Sequence, residues 1–121
     1  MDDRLQKALD FSNYRVSLFN QKENIKLKVD TLLTFAINGG IFKISPDLIS
    51  FVKNIKDMGH DYLVLIDINQ NPIEIKDLNN FLNEITSKYF EATNYYYTEY
   101  TKLRKLRSVK EQFEDIINEN Q

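Results

Sequence analysis

Few residues in this chain could do chemistry, and each is judged by its neighbours. The one histidine, His60, follows Gly59 and precedes Asp61. A histidine beside an aspartate can act as a general base, but here it also reads as a loop residue at a helix C-terminus, where partial positive charge is welcome. Asp61 and Asp67 bracket an apolar run and could pair as carboxylates, although acids at strand ends commonly face water. Asn38-Gly39-Gly40 is glycine-rich, yet a phosphate cradle needs a longer loop that opens a helix and usually a lysine. A strand pattern follows instead, so a tight hairpin is the reading. One histidine and no cysteine cannot build a structural zinc site, and no serine-hydrolase, metalloprotease or dinucleotide pattern occurs. The expectation is a protein that is not an enzyme, with no catalytic residue, metal, cofactor or small-molecule substrate.

A second constellation is richer. Tyr95, Tyr96, Tyr97 and Tyr100 precede Lys102, Arg104, Lys105, Arg107 and Lys110, with no acid between Lys102 and Lys110. Aromatic rings that stack on bases, beside cations that meet phosphates, are the equipment of single-strand binders. Tyr95, Tyr97, Lys102, Arg104, Lys105 and Arg107 are therefore the candidate contacts to RNA or single-stranded DNA. The competing reading is a solvated or partner-facing surface. Cations late in a helix complement its dipole, and Glu111, Glu114, Asp115 and Glu119 follow closely enough to pair with them.

The element that carries these residues is the clearest in the chain. Over residues 77–107 no Pro or Gly interrupts Leu78, Leu82, Ile85, Tyr89, Ala92, Tyr96, Tyr100 and Leu103, which recur every three or four positions. The spacing predicts one amphipathic helix over 77–118, with a break near 108 as a variant. Residues 77–107 alone would reach about 45 Å, against a radius of gyration of about 14 Å for a compact chain of this size. Such a helix overhangs its domain and wants a partner surface, so Leu82, Ile85, Tyr89, Tyr96, Tyr100 and Leu103 are predicted to meet another copy or another protein.

Ahead of it, Leu5, Ala8 and Leu9 suggest a short first helix. Val16 and Leu18 then alternate with Arg15 and Ser17, as do Ile25, Leu27 and Val29 with Lys26 and Lys28, which reads as two strands joined across residues 20–24. The second is taken to continue past Asp30-Thr31 to Ile37, before Asn38-Gly39-Gly40 turns the chain into a short strand at Ile41, Phe42 and Ile44. Ser45-Pro46 opens a helix that ends at Gly59. The run at residues 62–66 should be the most buried strand, and Asn69-Gln70-Asn71-Pro72 returns the chain to a fifth strand at Ile73-Glu74-Ile75.

The predicted fold class is thus α+β: a five-stranded antiparallel barrel or curled sheet over 5–76 with an N-terminal and an inserted helix, followed by the long helix, all in one domain of 121 residues. A net charge of −2 gives no global pull toward nucleic acid or anionic membrane, so any such binding must be local. The acidic start and the lack of 18 consecutive apolar residues predict a cytoplasmic protein without membrane contact.

The strand order, with a near-immediate turn at Asn69 to Pro72, resembles the Sm and LSm fold. Residues 9–14, 20–24, 38–40 and 71–75 also resemble small proteins of T4-like marine cyanophages. Together these resemblances imply a homo-oligomeric, ring-forming Sm-like phage module in the host cytoplasm, with nucleic acid bound at loops that hold Asn38, Asn69 and Asn71. The alternative is a virion structural or assembly protein that acts through the long helix.

Overall fold

No Gly or Pro occurs before Gly39, and most of that stretch is a single helix. The computed structural model describes the backbone of residues 2–119 and the side chains of residues 2–108. In chain order the elements are α1 (Asp3–Leu32), β1 (Thr34–Ile37), β2 (Gly40–Lys43), α2 (Pro46–Asp57), β3 (Leu63–Ile66), β4 (Pro72–Ile75) and α3 (Leu78–Glu119).

The α+β class holds, but the five-stranded barrel does not. Four strands form two separate two-stranded antiparallel sheets, β1 with β2 and β3 with β4. The strands expected around Val16–Leu18 and Ile25–Val29 are turns of α1. The reason lies in the geometry of a two-sided helix. Residues two apart on a helix differ by about 200°, so they point to opposite sides. Leu18, Ile25 and Val29 are half-buried, while Val16 and Leu27 are exposed. Alternating apolar residues therefore mark a helix that is apolar on two sides, a pattern easily read as period two. With the barrel goes the scaffold on which the expected Sm-type ring rested.

The chain divides into two compact units, one drawn from Val29–Tyr95 and the other from Met1–Lys28 with Tyr96–Gln121. In the first, Phe35, Phe42, Ile44, Val52, Leu65, Ile73, Ile75, Leu78, Phe81 and Ile85 make one buried cluster. Both hairpins and α2 thus close on the first turns of α3. Phe81 sits between Phe35 and Phe42, with ring centroids 5.9 and 5.8 Å away.

Local chemistry sets the joints. Asn38 and Gly39, at φ 50° and 82°, form the two-residue turn between Ile37 and Gly40. Gly40 is needed for a different reason, since a Cβ there would lie 2.4 Å from the Ile73 side chain. Ser45 Oγ accepts the Leu48 N–H at 3.1 Å to cap α2, and Gly59, at φ 93°, closes its far end. Asp77 caps α3 by accepting the Asn80 N–H at 3.0 Å. The expectation that 62–66 would be the most buried strand also needs correcting. Leu65 is buried, but Val64 and Ile66 on the other side of β3 are 46% and 59% exposed.

The second unit is helical. Here the segment of α1 that ends at Lys28 and the segment of α3 that begins at Tyr96 belong together. The helix α3 continues to Glu119, without the break near 108 that the sequence allows as a variant. Among the described residues no helix is long and apolar enough to cross a membrane.

Candidate functional site

In the helical unit Leu103 is the buried anchor of α3, at 6% exposure. Beside it lies a shallow cleft lined by Leu18 and Lys22 of α1 and by Tyr100, Leu103, Arg104 and Arg107 of α3. The helical repeat explains the grouping. Tyr100, Leu103, Arg104 and Arg107 are three or four positions apart and share one side of α3, as Leu18 and Lys22 share one side of α1. The cleft therefore has an apolar floor, an aromatic wall and three cationic side chains. Tyr100 also stacks on Tyr96, with centroids 6.1 Å apart and planes at 28°.

The sequence-predicted cationic group is only partly gathered here. Arg104 and Arg107 line the cleft, whereas Lys105 is exposed outside its lining. Lys102 pairs with Glu99 at 3.3 Å. Tyr95 is half-buried, and Tyr97, three positions before Tyr100, is 73% exposed and outside the cleft lining. The side chains of Lys110, Glu111, Glu114, Asp115 and Glu119, with the pairing expected of them, lie outside the described residues.

The predicted partner surface on α3 divides along the helix. Ile85 is fully buried in the core of its own chain, and Leu82 and Tyr89 pack against that core. Tyr96 is half-buried, Tyr100 is 43% exposed and Leu103 is covered within the helical unit.

Sequence reasoning missed Lys22, which it placed in a hairpin loop. The signal was present: Leu18, Ile25 and Leu32 recur every seven residues in a stretch free of Gly and Pro.

The other candidates belong to the sheet-bearing unit. Asn38 Nδ2 donates to the Glu74 carbonyl at 2.8 Å, which joins the first hairpin to β4. Asn69 and Asn71 keep exposed side chains, but their backbone N–H groups are given to Asp67 Oδ1 at 3.0 and 2.9 Å. Asp67 Oδ2 accepts the Ile41 N–H at 3.0 Å, and the Ile68 N–H returns a bond to the Ile41 carbonyl. The two hairpin tips are thus tied side by side through one buried carboxylate. The Asn71 N–H, then those of Ile41 and Asn69, hold this carboxyl below its ordinary pKa, while burial works in the opposite sense. Asp67 has both oxygens occupied, and Asp61 and His60 are exposed. Among the described residues no group of three or more His, Asp or Glu converges as metal ligands would.

No protein-family model, curated protein or solved structure matches this chain.

Proposed function

We propose that the protein is a non-enzymatic, homo-oligomeric binding module that holds single-stranded RNA or DNA on its helical unit. The observation that carries this reading is the convergence of Lys22, Arg104 and Arg107 around Tyr100. Cations positioned for phosphates beside a ring that can stack on a base suit a flexible single strand better than a duplex. A chain with net charge −2 needs such a local site, and several copies side by side turn a shallow cleft into an avid one. The likeness to phage proteins adds the host-cell cytoplasm as the place of action.

Fluorescence anisotropy with labelled single-stranded RNA and DNA oligonucleotides tests it. Three phosphate contacts give a slope of roughly −2 in log affinity against log salt. Lys22→Glu with Arg104→Glu should weaken binding at least about tenfold. No binding at low salt, or an unchanged affinity in the double variant, would overturn the proposal.

The second reading, a virion structural or assembly protein, is favoured by the exposed apolar side chains of the helical unit, among them Val16, Phe19 and Leu106. Under it the protein copurifies with virions and ignores both oligonucleotides.

A further inference from the structure

The outward side of α1 is as apolar as the side that packs. Leu5, Leu9, Val16 and Phe19 are 52%, 43%, 56% and 62% exposed. With Ser12 they follow the four-three-four-three spacing of a helix seam, and at about 100° per residue all fall within a sector of about 80°. Leu18, which lines the cleft, points elsewhere, and Lys22, which also lines it, stands at the border of the seam. No charged residue interrupts the seam between Leu5 and Phe19.

We infer that this seam is a two-fold contact in which α1 of one copy lies antiparallel on α1 of a second. The occupant is identified by the symmetry of the row and by its area. Counted from Ser12, Leu5 and Phe19 lie seven residues away in opposite directions, and Leu9 and Val16 lie three and four away. Turned end for end, the row presents apolar residues to apolar residues over its whole length, and the small Ser12 lets the helices approach at the middle. A self-complementary patch of this kind is what an isologous dimer requires. At their observed exposures the four large side chains present roughly 400 Å² per copy. Two copies thus offer up to about 800 Å², to which flanking polar side chains add, against the approximately 1,000 Å² that a specific interface needs.

The flanks give the contact a signature. Gln6, Asn13 and Asn20 border one side of the seam, and Arg4, Arg15 and Lys22 the other. In an antiparallel pair each flank faces its own kind, so amide meets amide and cation meets cation. Added salt screens the repulsion between the cationic flanks and tightens the dimer, the reverse of its effect on a nucleic-acid complex. The contact does not depend on the cleft binding anything.

Sedimentation of the full chain at micromolar concentration reads the result. The expected species has twice the 14.4 kDa of the monomer, and its association strengthens several-fold as salt rises from low to moderate. Val16→Glu weakens it at least tenfold with the helical circular dichroism unchanged, and Leu27→Glu, beyond the end of the pairing, leaves it intact. Since the chain has no cysteine, a short bis-maleimide should join two Ser12→Cys copies but not two Leu27→Cys copies. A monomer at every salt concentration overturns the inference, as does a Val16→Glu chain that associates like the parent. Association that weakens with salt overturns the facing of cation on cation, and cross-linking through Leu27→Cys overturns the antiparallel arrangement.

Discussion

Phe81 and Leu103 lie on the same helix and on the same apolar stripe, yet they live in different kinds of interior. Phe81, at 1% exposure, is enclosed by side chains from both hairpins as well as its own helix. Leu103, at 6%, is covered in a unit where α1 contributes no fully buried residue. A side chain surrounded by several elements forfeits contacts in every direction when it is removed, whereas one held between two helices borders a space that solvent can enter. The sheet-bearing unit should therefore be the firm part of the molecule and the helical unit the yielding part.

The sharpest way to break this contrast is to empty the core. Phe81→Ala should cost about 3–5 kcal/mol, measured by urea unfolding. A cost no larger than that of a substitution in the helical unit would abolish the distinction. The next effect is at the joint between the hairpins. Asp67→Asn removes the charge that three backbone N–H groups share, and should lower the melting temperature at neutral pH by on the order of 10 °C. The sign of its acid dependence follows from a folded pKa below the unfolded one. That stabilisation is complete above the ordinary carboxylate range near pH 4 and is lost as pH falls through the lower folded value. Melting curves below about pH 4 should show this loss in the parent and not in Asp67→Asn. The smallest effect belongs to Leu18→Ala. This side chain is only half-buried, so the expected loss is about 1 kcal/mol. Hydrogen exchange should place that loss in α1 and leave the Phe81 cluster protected.

Legibility followed the same division. The Asn38-Gly39 turn, the Ser45-Pro46 helix start, the Gly59 stop and the stripe from Leu78 to Leu103 each carry their cause within a few residues, and each was placed from the sequence. Where a segment is apolar on two sides, local pattern misleads. In α1 the alternation through Val16 and Leu18 suggested strands, and in β3 the unbroken run suggested complete burial, although Val64 and Ile66 remain exposed. The candidate cleft was half visible. Tyr100, Arg104 and Arg107 stood in the aromatic and basic stretch, but Lys22 could join them only once its segment was recognised as a helix.

The sequence by itself determined the turns, the caps, the α+β class and the stripe along α3, because backbone preferences and one-sided patterns are encoded by near neighbours. Tertiary structure alone decided which of two apolar sides of α1 is covered. It also decided that Asp67 serves Ile41 of another hairpin rather than water, and that Lys22 lines one cleft with Arg104 and Arg107. Those outcomes depend on which surfaces distant parts of the chain bring together, and no local period records that.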